Sequence, residues 1–459
     1  MSYVANNPES PLIHRSFRII PHVVKNAKGS YLYLEDGKKI LDGCGGAAVV
    51  SVGHTNDEVV AEVEKQLESV SYVHSGEYTT EVAEELGKLL LEDYGEIFSK
   101  VFLCNSGSEA NDGALKLAVQ YFYEQGKTSK TAFISRNVSY HGNCIGSLSL
   151  SGHIARRKPF KSLLNDAHFH KVSPANEYRF RLEDETTEQY ILRLAEEFEE
   201  TILKVGAKNI AAFVAETVGG ASSGCLTAPK GYFSKMKQIC DRYDILVILD
   251  EVMCGSGRTG TFFAWEQENI IPDIVTCGKS VSSGYGPLSV IFFSEKILNV
   301  LQKGSSEFNN GHTYQSYPLS CAAGVAVKKI IKRENLLANV VLMGGYLKDQ
   351  LTEKLSDSKI VGNIRGRGLF VAVEFVQDKA KKIPFPANEF VGLKIQEAIW
   401  EEGVAVYPGH GTVDGILGDH ILIAPPFNVT KSEIDDIVNA IQLVVTKFKI
   451  TYSGDQVIR

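Results

Sequence analysis

Apolar and polar positions follow three different rhythms along this chain, and each rhythm marks a region. Near the N-terminus, YLYLEDGKKILDG (residues 31–43) is two short apolar runs around Asp36-Gly37, a dipeptide suited to the positive φ angles of a tight turn. It predicts a β-hairpin. From about residue 57, Val59, Val60, Val63, Leu67 and Val70 recur at helical spacing, and a second helical stretch follows near 81–91. Between about 100 and 295 the runs KVFLCN, KTAFISR, NIAAFVAE, ILVILD, DIVTCG and LSVIFF alternate with helix-like segments. Nearly continuous apolar strands joined by crossovers imply an α/β unit with a mostly parallel sheet between helices. After about 320 come two long helical stretches, then GLFVAVEFV, GVAVYPG, ILIAPPF and a last amphipathic helix, KSEIDDIVNAIQLVVTKF. That texture predicts a smaller α+β unit, shared with the N-terminal hairpin.

The expected division is therefore residues 1–60 as the N-terminal part of a small domain, 61–320 as a large domain, and 321–459 as the C-terminal part of the small one. No internal repeat, low-complexity tract or long linker suggests independent modules. With 459 residues, 44% of them hydrophobic, the chain can bury more than one core. A net charge of −7 with no basic run disfavours nucleic acid and anionic membranes as partners. The eight cysteines are dispersed, with no close pair of the zinc or redox type, and read as thiols in a reducing compartment. No membrane-length apolar run and no clear address signal is present, so the cytoplasm is the expected location.

The candidate chemistry centres on ILVILDEVMCGSGRTGTF, residues 245–262, followed by a GKS at 278–280. Gly255-x-Gly257-x-x-Gly260 has the form of a dinucleotide loop, but Asp250 and Glu251 close the strand before it, where their charge would face a pyrophosphate. A phosphate loop of the ATPase type needs a glycine five residues before Gly278, and that position is Asp273. A third cofactor fits better. Pyridoxal phosphate needs a lysine for its Schiff base, a carboxylate at its pyridine nitrogen, an aromatic neighbour and an anion site. Lys279 and Asp250, both at strand ends facing the mouth of a parallel sheet, supply the first two.

The anion site would be CNSGSEANDGALKLA, residues 104–118, where a strand runs through Ser106-Gly107-Ser108 into a helix whose free N–H groups face an anion. Ser106-x-x-Glu109 is equally a capping box, and that reading stays open. Tyr140, in SYHGN, could stack on a pyridine ring or be a buried tyrosine.

Taken together, NSGSEAND, SYHGN, AETVGG, ILDEVMCGSGRTG, PDIVTCGKS, GHTYQSYPLSCAA, IRGRGLFVAVEF and ILIAPPFNVT resemble the class III pyridoxal-phosphate aminotransferases, the ω-aminotransferase group of fold type I, in the family's order from about residue 30 to 445. The resemblance implies a seven-stranded-type sheet, pyridoxal 5'-phosphate as cofactor and a homodimer with shared sites. It assigns Lys279 as the Schiff-base lysine and proton shuttle, Asp250 as the pyridinium partner, and Val252 as the residue packed under the ring. Tyr140 would stack on the ring, Gly107 and Ser108 would cradle the phosphate, Glu216 would sit near Asp250 and the ring hydroxyl, and Thr313 would reach the phosphate of the neighbouring subunit. The GSGRTG loop becomes a structural turn, with Arg258 an internal ion-pair partner.

The implied reaction moves an amino group from a primary amine or an ω- or β-amino acid to a 2-oxo acid, pyruvate or 2-oxoglutarate, in ping-pong fashion. Racemases, aminomutases and a dialkylglycine-type decarboxylase resemble the same family and are the alternatives, and a cofactor-binding protein without catalysis is a further one. Three departures bear on substrate. Ala221 stands where family members with a glutamate–arginine gate carry an acid. Ala47 and Ala48 follow the hairpin where amine-active members place an aromatic residue, which suggests a wider pocket. No arginine occurs in GHGTVDGILGDHILIAPP, where a mobile one often grips a carboxylate, leaving His410 and His420 as polar candidates.

Overall fold

The computed structural model describes residues 10–16 and 20–448. Its centre is a seven-stranded sheet in the order Phe98–Cys104, Ser289–Ser294, Ile274–Cys277, Leu246–Glu251, Ile210–Glu216, Ala132–Arg136 and Phe169–Val172. Ser289–Ser294 runs antiparallel to both neighbours; every other adjacent pair is parallel. All residues of Ile210–Glu216 and Leu246–Glu251 are buried, which explains why those runs are apolar without alternation.

Alternation nevertheless decides which side each residue faces. Phe213, Val247, Leu249 and Val275 join Leu194, Phe198 and Tyr232 in one core, while Ala212, Val214, Leu246, Ile248 and Ile274 pack with Ala110, Ala114, Leu117 and Phe122 of the helix Gly107–Tyr123 in another. Because successive side chains point to opposite faces, Glu216, Asp250 and Thr276 end their strands on the side of that helix, and Glu251 ends on the other. In register, Glu216 pairs with Asp250 and Asp250 with Thr276, so the three form one row across the C-terminal edge of the sheet.

Two smaller sheets flank the centre. The predicted hairpin forms, with Tyr31–Leu34 antiparallel to Lys39–Asp42 and Gly37 at φ +87° between them. Lys39–Asp42 also pairs in parallel with Val404–Ala405, so the two chain ends share a sheet. The other small sheet has the order Val361–Arg367, Phe370–Phe375, Asp419–Ile423, Tyr407–His410, covered by the helices Leu336–Lys354, Val391–Glu401 and Lys431–Lys447. The helix Asp57–Ser69 meets expectation in position but less in burial. Val59 is buried in the core that includes the helix Pro318–Arg333, whereas Leu67 remains 57% exposed.

Candidate active site

A cleft of about 880 Å³, measured out to its mouth, opens at the C-terminal edge of the central strands, where open α/β sheets bind ligands. Gly107, Ser108, Tyr140, Glu216, Asp250, Val252 and Lys279 all line it. The sequence scatters these residues over more than a third of the chain; the strand ends and the helix Gly107–Tyr123 bring them to one wall.

Asp250 is the most constrained of them. Its Oδ2 accepts from Asn111 Nδ2 at 2.8 Å and from His141 Nδ1 at 2.8 Å, and its Oδ1 accepts from the Val252 N–H at 3.0 Å. Asn111 is itself held, since its Oδ1 accepts from Thr276 Oγ1 at 2.9 Å and its Nδ2 also donates to the His141 carbonyl at 2.6 Å. His141 Nε2 is buried without a partner among the described residues. Asn111, His141 and Thr276 were not singled out in the sequence. Their signal was present: Asn111 interrupts the apolar face of a helix one turn past Ser108, and His141 follows Tyr140 directly.

Glu216, beside Asp250 in the row, accepts from the Tyr140 N–H at 3.1 Å and the Gly220 N–H at 2.8 Å. Burial, reinforced by the Asp250 charge, raises its pKa, while His141 opposes the rise. Lys279 follows its strand by two residues and takes φ +48°, a left-handed conformation that costs a non-glycine residue of order 1 kcal/mol or more and marks functional turns. Desolvation lowers its ammonium pKa; the nearby Asp250 and Glu216 charges pull the other way, and Arg156 and Arg15 lower it further.

Close approach of backbone explains the glycines of the cleft. A methyl group at Gly107 would lie 2.5 Å from Val252 Cγ1, and one at Gly142 would lie 2.7 Å from Ser108 Oγ. Ser108 Oγ also accepts from the Asn143 N–H at 2.9 Å, tying the helix start to the segment after Tyr140. The capping reading of Ser106 holds as well. Its Oγ accepts from the Glu109 N–H at 3.2 Å, while Glu109 Oε2 reaches the N–H of Asn105 at 2.9 Å, one residue short of a closed capping box. Capping uses one N–H only, so the cap and an anion site are compatible.

Several expectations need correction or relocation. Arg258 is fully buried, as an internal residue should be, but among the described residues it makes no ion pair: its guanidinium donates to the carbonyls of Pro425 at 2.5 Å, Val50 at 3.0 Å and Leu369 at 3.3 Å, and lies 4.6 Å from the Phe427 ring centroid. The turn that delivers it opens no helix, with Gly257 and Gly260 at φ +100° and +101°, which removes the dinucleotide geometry. Glu251, facing away from the cleft, accepts from Thr217 Oγ1 at 2.7 Å, the Ala264 N–H at 2.7 Å and the Trp265 N–H at 2.8 Å.

His420 is completely buried, with its pKa pushed down to about 3 by burial and then by Arg365, and His410 packs edge-on against His153 at 5.6 Å; neither lines the cleft. Neither is therefore among the side chains that a substrate carboxylate would meet along the cleft wall. Ala47 lines the cleft, whereas Ala48 is buried behind it. Thr313 is exposed and lies away from Lys279, in a separate hollow with His74, Ser75, Gly76 and His312.

The model of the family described as aminotransferase class-III matches residues 13–445. An uncharacterised aminotransferase of Schizosaccharomyces pombe is 44% identical over 93% of this chain and 93% of its own, and a chloroplastic gamma aminobutyrate transaminase of Solanum lycopersicum is 37% identical over 91% of this chain and 79% of its own. Among solved structures, the omega transaminase from Pseudomonas jessenii in complex with PMP superposes with a TM-score of 0.89 at 31% identity, covering 96% of each chain. The chain belongs to the class III aminotransferases, with the α/β fold of the fold type I transaminases, and transfers amino groups. Membership of this family, and a solved relative in complex with PMP, imply pyridoxal phosphate as the cofactor.

Proposed function

We propose that this aminotransferase uses pyridoxal 5'-phosphate to move an amino group from a primary amine or an ω- or β-amino acid to a 2-oxo acid, pyruvate or 2-oxoglutarate. The observation that carries the reading is Lys279, a desolvated amine held in a left-handed turn at the wall that also presents Asp250 and Glu216. The names of the relatives support it, one a gamma aminobutyrate transaminase and one an omega transaminase solved with PMP.

Four features support the fit of the cofactor to these residues. The unpartnered His141 Nε2 is consistent with a polar pocket prepared for a ligand. Asp250, fixed by three donors, would stand at the pyridine nitrogen and keep it protonated. Gly107 and Ser108, at the start of a 17-residue helix, would receive the phosphate on free N–H groups. Tyr140 would stack on one face of the ring, with Val252 under the other and Glu216 near the ring hydroxyl.

When bound, pyridoxal phosphate supplies an electron sink that acidifies the hydrogen on the amine-bearing carbon. The chain does the rest. Lys279 would hold the cofactor covalently through its Nζ, give way to the incoming amine, and then, as a neutral amine, take the proton from the substrate carbon and return it. Its lowered pKa favours the neutral form this requires. Asn111 and His141 fix the Asp250 carboxylate, which would hold its charge in place for the pyridine nitrogen.

The same proposal includes a homodimer in which Thr313 of one copy reaches the phosphate bound in the other; its exposed position in a hollow apart from Lys279 supports this, as do the exposed apolar side chains Tyr72, Tyr78 and Tyr314. It also includes the division at about residues 60 and 320 and a cytoplasmic location, the latter supported by eight free thiols, seven of them buried. Among the described residues no helix is long and apolar enough to cross a membrane. The test is amino transfer from a panel of amines to an added 2-oxo acid. Racemisation or decarboxylation without net transfer would overturn the substrate reading.

A further inference from the structure

We infer that Arg156, joined by Arg15, forms the cationic end of the cleft and takes the carboxylate of the substrate. This rests on the proposed reaction, because a 2-oxo acid and an ω-amino acid both bring a carboxylate that needs a cationic partner. Among the described residues, Arg15 and Arg156 are the only lysine or arginine side chains along the cleft apart from Lys279, the reacting amine; the acids there are Glu216 and Asp250, and His141 is held on Asp250. No arginine lies between 409 and 426, where a carboxylate-gripping one was expected, and His410 and His420 do not line the cleft.

Arg156 sits in the short helix Ile154–Arg157, at the end of the segment that begins with Tyr140. Its guanidinium carbon lies 4.7 Å from the Tyr140 ring centroid, so the cation sits over an aromatic side chain of the cleft wall. Among the described residues neither Arg156 nor Arg15 has a hydrogen-bond or ion-pair partner. The adjacent Arg157 is paired with Asp166 at 2.5 Å, so of the two consecutive arginines only the one facing the cleft is left free. Both free arginines lower the Lys279 pKa, which places them within electrostatic reach of the reacting amine.

A guanidinium pair could equally meet the phosphate of the cofactor, which is the same anion chemistry. The carboxylate is favoured because the helix start at Gly107 and Ser108 already offers backbone N–H groups to an anion elsewhere in the cleft.

The test compares amines of equal length with and without a carboxylate (propylamine and β-alanine, butylamine and 4-aminobutyrate, pentylamine and 5-aminopentanoate) in the half-reaction of the holoenzyme, with no oxo acid present. Wild type, Arg156→Gln, Arg156→Lys and Arg15→Gln are measured together with retention of cofactor on dialysis. In Arg156→Gln the preference for the amino acid over its alkylamine falls about tenfold to hundredfold, chiefly through KM, with cofactor retention intact. Arg156→Lys recovers part of that preference, and Arg15→Gln lowers it less. An unchanged preference overturns the inference, and loss of cofactor with the preference unchanged assigns the arginines to the phosphate instead. If wild type reacts with no member of any pair, the proposed function fails, and this inference with it.

Discussion

The floor of the cleft offers a quantitative test, because Gly107 and Val252 meet there. A methyl group at position 107 would lie 2.5 Å from Val252 Cγ1 and 3.0 Å from Cγ2, whereas carbon atoms in contact prefer about 3.5–4.0 Å. Gly107→Ala therefore demands a shift of about 1 Å. The helix behind Gly107 is packed against the sheet, and the open direction for Val252 is into the cleft it lines. Overpacking of this kind costs about 1–3 kcal/mol, and at the first position of the helix alanine's advantage over glycine in a helix interior does not offset it. About 1–2 kcal/mol of that cost, falling at the surface where the cofactor would lie, weakens its binding about 5- to 30-fold. Val252→Ala removes both clashing carbons and leaves Cβ at 3.3 Å, so the double variant recovers most of the affinity lost in Gly107→Ala. Equilibrium dialysis of pyridoxal phosphate against wild type, the two single variants and the double variant gives the coupling. Binding in Gly107→Ala equal to wild type, or losses that simply add in the double variant, would refute the reasoning.

Other predictions address the scaffold, its titration and its assembly. Glu251→Gln keeps one oxygen for Thr217 and Trp265 but turns an amide N–H toward the Ala264 N–H; urea unfolding should show a loss of about 1–3 kcal/mol. Asp419 has its pKa raised to about 6 by burial, against an ordinary value of 3.8, so it favours the fold most when protonated and that contribution is lost as pH rises through 6. Between pH 5 and 7, wild type should lose about 1 kcal/mol more stability than Asp419→Asn at equal protein concentration, and parallel curves would contradict this. If Thr313 acts across the dimer, mixing Thr313→Ala with Lys279→Ala under subunit exchange creates hybrids with one intact site; a 1:1 mixture should reach roughly a quarter of wild-type activity, and no gain over Thr313→Ala alone would refute the crossing.

Legibility in the sequence followed burial and periodicity. The six apolar runs from KVFLCN to LSVIFF each became a strand because a sheet covered on both faces favours nearly continuous apolar residues, its polar ones gathering at strand ends and on the edge strand. The seventh strand, Phe169–Val172, escaped because it is an edge strand, mostly half-buried, with His170 and Lys171 inside it. Val361–Arg367 escaped because two glycines and two arginines break its apolar pattern, one of those arginines serving the buried Glu374 at 2.5 Å.

Within the site, residues with a chemical role of their own, such as Lys279 and Asp250, could be named from type and position. Those that act by holding others could not. Asn111 and Thr276 carry no motif; their importance comes from strand register, which sets Thr276 beside Asp250, and from the helix that crosses that row. Arg156 was invisible for a similar reason, since RR in a loop is ordinary until folding pairs one arginine with Asp166 and leaves the other over Tyr140. The ion pair expected for Arg258 failed because three carbonyls and an aromatic face satisfy a guanidinium without any carboxylate, and carbonyl convergence leaves no trace in sequence.

The most direct test of the central claim is the visible absorbance of the purified protein with bound cofactor, followed as single amines are added without any oxo acid. The account predicts that the absorbance bleaches with the productive amines, returns when a 2-oxo acid is added, and does neither in Lys279→Ala. An absorbance that no amine changes, or a Lys279→Ala protein that transfers amino groups as wild type does, would contradict it.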